Sequence, residues 1–87
     1  MDELIRLVVT SKAYTEALKS GITITTSIIN GYEDMLPQSW LLVIFDKDYH
    51  RMEHIFNAEE YARMISPEIA VEKVLRDMRK EVENCLR

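Results

Sequence analysis

The sequence contains a single cysteine, Cys85, so no disulfide can form within the chain. A secreted domain of this size would be unusual without such crosslinks. A helix that crosses a bilayer needs about 20 apolar residues, and the longest unbroken apolar run, residues 40–45, is far shorter. The first residues also lack the basic start and long apolar segment of a signal peptide. These absences predict a cytoplasmic protein without a membrane segment.

Glycine and proline are scarce as well, with two residues of each in a chain of 87. This scarcity excludes glycine-rich nucleotide-binding loops and argues against a low-complexity or disordered chain. The net charge of −4 gives no general attraction to nucleic acid or to an anionic membrane. Because 47% of the residues are hydrophobic, we expect residues 1–87 to fold as a single domain.

The first third of the chain combines a helical pattern with a strand-like one. Apolar residues of segment 2–20 fall on one helical stripe, and Ser11 is placed to cap a second helix after a break at residues 10–11. Segment 22–29 begins with alternating apolar and hydroxyl residues and is rich in β-branched side chains, which predicts a strand with one face in water. The dipeptide at residues 30–31, Asn-Gly, predicts a turn, followed by a loop over residues 32–39.

The middle of the chain predicts the remainder of a sheet. The apolar run 40–45 is too short for a lone helix and is typical of a central strand that is covered on both faces. Residues 46–48 are expected to form a tight turn. Residues 49–56 would then be the partner strand of a hairpin.

Two helix starts follow the predicted sheet. Asn57 and Glu60 resemble a capping box that opens a short helix ending near Ile65. Ser66 suits a cap and Pro67 a first helical position, which predicts a last helix that runs nearly to the end of the chain. The expected fold is therefore α+β: an N-terminal helix, a three-stranded antiparallel sheet, a short helix and a long C-terminal helix, with the helices on one face of the sheet.

Segment 50–54 matches H-x-x-E-H, the metal-binding pattern of the inverted zinc proteases. That chemistry needs both histidines on one helix face with Glu53 as the base between them. Because the segment is predicted to be a strand, we interpret His50 and His54 as solvent-facing sheet residues and expect no metal centre. A metal contact through both histidines on one strand face is the alternative.

No residue pattern supports nucleophilic or acid–base catalysis. Cys85 falls in the last helical turn, where the negative end of the helix dipole disfavours a reactive thiolate. The carboxylate pairs at residues 33–34 and 59–60 suit solvated loop and cap positions. We therefore expect a protein that is not an enzyme and that uses no cofactor.

The predicted order of elements resembles the topology of double-stranded-RNA-binding domains. Those domains carry a lysine cluster at the start of the last helix, where it contacts phosphates. Here Glu68 occupies that place, and a basic patch further along, at Arg76, Arg79 and Lys80, is interrupted by acidic residues. A small nucleic-acid-binding protein is accordingly the disfavoured alternative.

The last predicted helix carries an apolar seam with alternating spacings of four and three residues. Its members are Val71, Leu75, Met78, Val82 and Cys85. Such a stripe packs either on the chain's own sheet or against a second copy. Packing on the sheet is favoured, because a small domain with a thin core needs every apolar face to complete it. A homodimer formed through this helix is therefore the alternative to internal packing.

The predicted loop before Pro37 concentrates apolar and charged side chains. They are Tyr32, Glu33, Asp34, Met35 and Leu36. Exposed aromatic and methionine side chains edged by charge are typical of a protein interface. The favoured interpretation is that these side chains tuck under the loop as a small apolar cluster, and the protein interface is the alternative.

These patterns favour a non-enzymatic regulator or inhibitor that binds another protein and occludes its surface. A chain of 87 residues has little volume for a pocket that shields chemistry. Small domains of this class are common among accessory proteins of phages and mobile elements, an association that rests on size and class rather than on a motif.

Overall fold

The computed structural model describes residues 2–84, in which two helices precede three consecutive strands and two further helices follow them. The elements are α1 (Asp2–Thr10), α2 (Lys12–Lys19), β1 (Thr23–Glu33), β2 (Leu36–Lys47), β3 (His50–Asn57), α3 (Ala58–Ala62) and α4 (Pro67–Asn84). The strands form one antiparallel sheet in the order β1-β2-β3, so β2 is central. The expected α+β fold class is confirmed. Within residues 2–84, no helix is both long and apolar enough to cross a membrane.

The expected break in the first helical segment is confirmed at Ser11. Its hydroxyl oxygen accepts a hydrogen bond from the Tyr14 backbone N–H at 3.2 Å, which satisfies one of the free donors at the start of α2. Glu72 of α4 accepts a second such bond from the Ala13 N–H at 2.9 Å. Gly21 follows α2 with a φ of +84°, a conformation that glycine adopts without steric cost. The caps therefore fix α2 against α4.

The core lies between α4 and one face of the sheet, here called the inner face. Leu41, Val43 and Phe45 alternate along β2 and are fully buried, as is Phe56 of β3. They meet the apolar stripe of α4, together with Leu4 and Val8 of α1. Side chains that alternate along a strand share one face, so these strands bury a single face against the helices.

The first hairpin extends further than the sequence predicts. The expected turn at Asn30-Gly31 is wrong, because β1 continues through both residues to Glu33. The turn is formed by Asp34 and Met35, whose φ angles of 51° and 65° give the two-residue hairpin geometry that matches the twist of the strands. Continuing the ladder keeps these backbone groups hydrogen-bonded, and the register runs from Thr23 to Glu33 without a bulge.

The second hairpin is shifted in the same direction. Its turn is formed by Asp48 and Tyr49, with φ angles of 50° and 71°, and not by residues 46–48. The predicted partner strand is confirmed as β3. Asn57 at its end caps α3, since its side-chain oxygen accepts bonds from the backbone N–H groups of Glu59 and Glu60 at 2.9 and 3.1 Å.

Candidate protein-binding surface

The face of the sheet opposite the helices exposes a group of apolar side chains. We call this group the outer-face patch: Ile29, Trp40, Leu42, Ile44 and Ile55. The two flanking isoleucines, of β1 and β3, are 41% and 57% exposed, and the three β2 residues are half-buried. The expectation that residues 40–45 are covered on both faces is therefore wrong. No helix within residues 2–84 packs on this side, so the apolar run serves the core with one face only.

The strand register makes the outer-face patch continuous. Ile29 lies directly opposite Trp40, and Leu42 lies opposite Ile55. Ile44 follows Leu42 on the same face of β2, two residues along. Directly opposed residues on neighbouring strands lie within side-chain contact distance. The patch is therefore one apolar stripe along β2, with one isoleucine on each side.

Gly31 makes room for the indole ring at one end of the patch. A Cβ atom at this position would lie 3.1 Å from Cζ3 of Trp40. Real Cβ atoms rarely come so close to another carbon, so a larger residue would force the ring to move. Gly31 thus allows the indole to lie against the β1 backbone, which keeps Trp40 half-buried without any covering helix.

Charged side chains flank the patch at the end away from the first turn. Arg51 and Glu53 precede Ile55 in the chain and lie on the same outer side of β3, where they form an ion pair at 2.7 Å. Asp46 lies opposite Arg51 in the register. Both members of the ion pair are about half exposed, so the pair marks the limit of the apolar surface and adds little to stability. An apolar centre with a polar rim is the usual anatomy of a protein-binding surface.

The candidate partner-binding residues form the hairpin tip, defined as Tyr32, Glu33, Asp34, Met35 and Leu36. The structure brings them together at the first turn, where Met35 is 91% exposed and Tyr32 is 80% exposed. The favoured interpretation, in which these side chains tuck under a loop, is wrong because they belong to a hairpin and are exposed there. Leu36 lies on the same side of β2 as Trp40, with Gln38 between them, so the tip adds a separate apolar group beyond the end of the stripe.

The apolar seam of the last helix packs inside the chain. Val71, Leu75, Met78 and Val82 are between 0% and 2% exposed and contact the core. Cys85 lies outside the described residues. The four described members are therefore part of the chain's own core, so a second copy could reach them only if the core opened.

The H-x-x-E-H segment does not form the geometry of a zinc protease. His50 and His54 lie on the inner side of β3, while Glu53 points to the outer side and pairs with Arg51. Four residues along a strand separate the two histidines by about 13 Å, which is too far for one ion to bind both. The predicted solvent-facing position is wrong for His54, which is partly buried against Phe56 at a ring-centroid distance of 4.6 Å. No group of three or more metal-ligating side chains is assembled within residues 2–84.

An aromatic cluster on the inner side contains the groups with shifted ionisation. The ring of Phe56 contacts His54 on one side and Tyr61 on the other, both edge to face. Burial lowers the pKa of His54, and the nearby Glu60 charge opposes part of that shift. Burial also raises the pKa of Tyr61, and Glu60 adds to it. Both side chains are therefore held in their neutral forms near pH 7, which suits packing.

Two grooves lie beside α1. The first, of about 270 Å³, is lined mainly by apolar groups between α1 and α3, including Leu4, Leu7 and Tyr61. The second, of about 450 Å³, is open and polar, and Glu72 on its wall already accepts the α2 cap bond.

Comparison with known proteins adds no assignment. No protein-family model, curated protein or solved structure matches this chain. The geometry of the chain's own surface therefore has to support any functional proposal.

The sequence pattern drew attention to the residues of the hairpin tip but did not predict the outer-face patch. A signal for it was present in the flanking strands. Thr25 and Ser27 of β1, and Arg51 and Glu53 of β3, are polar at the outer positions beside β2. When the flanking strands carry polar side chains on one face of a sheet, that face is exposed to water, and other elements cover only the opposite face of the central strand.

Proposed function

We propose that this chain is a non-enzymatic regulator or inhibitor that binds a protein partner through the outer-face patch and the hairpin tip, and so occludes the partner's surface. The observation that carries the proposal is the continuous apolar stripe on a sheet face that no described helix covers. Sheets that face water normally alternate apolar and polar residues, and β2 does not. An exposed apolar face of this kind is typical of an interaction site.

The composition of the surface supports recognition of a protein. Trp40 lies at one end of the patch, Leu36 lies beyond it on the same side of β2, and Met35 is exposed in the turn. Tyr32 is exposed beside them on the inner side of β1, opposite Pro37. Tryptophan, tyrosine and methionine are enriched in protein interfaces, and buried aromatic anchors supply much of their binding energy. The acidic Glu33 and Asp34 border this apolar surface, which favours a partner with basic groups around an apolar recess.

The size of the surface is also appropriate. Strands of 11, 12 and 8 residues, at about 3.3 Å per residue and about 4.8 Å apart, give a flat footprint of about 500 Å². Side-chain relief adds to this value. Each partner contributes about 800 Å² to an interface of standard size, and the total area of this surface approaches that value. We place the complex in the cytoplasm, where a chain with one cysteine remains reduced.

The test compares one outer-face variant with one matched control on the helical side. Leu42→Asp places a charge in the middle of the patch, and Ile69→Asp places the same charge on α4, where the native side chain is 71% exposed. Proteins retained by the wild type from the native host are identified, produced separately and titrated against all three forms. Leu42→Asp is expected to weaken binding at least about 30-fold, as loss of a central contact does. Ile69→Asp should bind as the wild type does.

Fluorescence provides a second measurement on the same titration. Trp40 is the only tryptophan, so its emission reports directly on the patch. Binding over the patch is expected to shift the emission to shorter wavelength, because the indole leaves water. A partner that binds wild type and Leu42→Asp with equal affinity and leaves the emission unchanged would overturn the proposal, provided that both forms unfold at the same temperature.

A further inference from the structure

β1 is an edge strand without the features that normally protect edges. It has a neighbour on one side only, β2. Residues 23–32 contain no charged side chain and no proline, and the strand has no bulge. Native proteins usually place lysine, proline or a bulge on such an edge to prevent pairing with another strand. An 11-residue unprotected edge is therefore an open site for strand addition.

The turn geometry determines which backbone groups of this edge are free. In a hairpin with a two-residue turn, the flanking pair, here Glu33 and Leu36, is hydrogen-bonded. Hydrogen-bonded and non-bonded pairs then alternate along the ladder. The N–H and C=O groups that point away from β2 consequently belong to Ile24, Thr26, Ile28, Asn30 and Tyr32.

We propose that β1 pairs with β1 of a second copy, antiparallel, to form a six-stranded sheet with its two-fold axis at Ile28. Antiparallel pairing of residues 23–33 with themselves over their full length places the axis at the middle residue. That residue has outward-pointing backbone groups, so all the free groups fall opposite one another, with about ten hydrogen bonds. Full overlap places free groups opposite free groups because β1 has an odd number of residues, and the first turn determines that Ile28, at the axis, is among the residues with free groups.

The side chains match in this register. Ile28 meets Ile28 of the second copy, and Ile24 meets Tyr32 of the second copy. β-Branched and aromatic residues directly opposite each other stabilise antiparallel pairs. Glu33, the only charged residue of β1, faces Thr23 of the second copy, so no like charges meet. Ile28 is 49% exposed and Tyr32 80% exposed in the isolated chain, so both gain an apolar neighbour.

The helices leave this edge accessible. α4 packs over β2 and β3 rather than over β1. A two-fold axis perpendicular to the sheet keeps the helices of both copies on one side, and the outer-face patches lie together on the other. The contact is about 36 Å long and about one sheet, or 10 Å, thick. Its cross-section of about 360 Å² per copy is less than half of the about 800 Å² that each partner contributes to a standard interface, so we expect a weak dimer that forms only at high protein concentration.

Sedimentation of the purified chain from about 1 to 500 µM tests the proposal. The wild type is expected to move from the 10.2 kDa monomer toward twice that mass as concentration rises. Thr26→Pro removes one outward N–H and leaves the β1–β2 ladder intact, so its dissociation constant should rise at least tenfold. Thr26→Val, which keeps the N–H and the β-branched shape, is the control and should dimerise like the wild type. A wild type that stays monomeric throughout the range would overturn the proposal.

A crosslink tests the register independently of folding effects. In a chain with Cys85→Ser, Ile28→Cys and Ile24→Cys each leave a single thiol. Only residue 28 meets itself at the two-fold axis, so Ile28→Cys should form a covalent dimer on mild oxidation and Ile24→Cys should not. Equal crosslinking of both variants would overturn this register. Leu42 lies on the central strand β2 and not on the edge, so Leu42→Asp should still dimerise, and loss of partner binding by that variant is distinguishable from loss of the dimer.

Discussion

The two faces of β2 carry the same kind of side chain and have opposite surroundings. Leu41, Val43 and Phe45 are completely buried under the helices, whereas Leu42 and Ile44 between them are only half-buried. Composition therefore does not separate a core position from a surface position on this strand. The topology does, since every described helix lies on one side of the sheet. The inner face gives the fold its stability, and the outer face is available for binding.

The largest effect that should separate the faces comes from truncating neighbouring residues. Phe45→Ala is expected to reduce the free energy of unfolding by about 3–5 kcal/mol, because a fully buried ring leaves a cavity between β2 and α4. Ile44→Ala should cost about 1 kcal/mol or less, since part of that side chain is already in water. Urea unfolding followed by circular dichroism measures both. Similar losses for the two variants would contradict the one-sided core.

A smaller effect is expected where the sheet passes into α3. Asn57→Ala removes the acceptor for two backbone N–H groups at the helix start and should cost about 1 kcal/mol. Asn57→Asp keeps an oxygen acceptor in the same place and should cost much less. The same urea titration distinguishes them. If both variants lose equal stability, the hydrogen bond to Gln38 matters more than the cap.

The sequence predicted the inner face far better than the outer face. The stripe on α4, the Ser11 break and the Asn57 cap depend on local spacing and local hydrogen bonds, which a sequence displays directly. The first turn was misplaced because Asn30-Gly31 has strong turn propensity, yet Gly31 is needed beside the indole of Trp40. Propensity is local, whereas this requirement comes from the neighbouring strand. The open side of β2 was missed because an apolar run alone does not show how many layers cover it.

The position of Gly31 allows the outer face to be altered without touching the core. Gly31→Val places a branched side chain where the indole lies, so Trp40 must move away from β1. Its fluorescence emission should shift to longer wavelength as the ring enters water. The free energy of unfolding should change by less than about 1 kcal/mol, because valine favours a strand more than glycine does. Gly31→Ala is the graded control, with a smaller shift expected. An unchanged spectrum for both variants would show that the indole does not depend on this gap.

The smallest expected effect is a pH dependence that belongs to the inner face. Because burial lowers the pKa of His54 below its ordinary value of 6.5, the unfolded chain binds a proton at this residue at a higher pH than the folded chain does. The free energy of unfolding should therefore be constant above about pH 6.5 and fall as the pH drops below that value, until the folded imidazole also takes up its proton. Glu60 reduces the size of this fall, since its charge favours the protonated ring.

Replacing the ring isolates its contribution to that profile. His54→Gln should remove the decrease in the free energy of unfolding between about pH 6.5 and pH 5. This range lies above that in which most carboxylates titrate, so they contribute little to the change. Urea titrations at closely spaced pH values, with His50→Gln as the comparison for losing a histidine, measure the change. If His54→Gln retains the full decrease, the proton is taken up elsewhere and the aromatic cluster does not hold His54 neutral. The decrease in the free energy of unfolding that belongs to His54 therefore reports whether the helices exclude water from the inner face of the sheet. The outer face has no such cover.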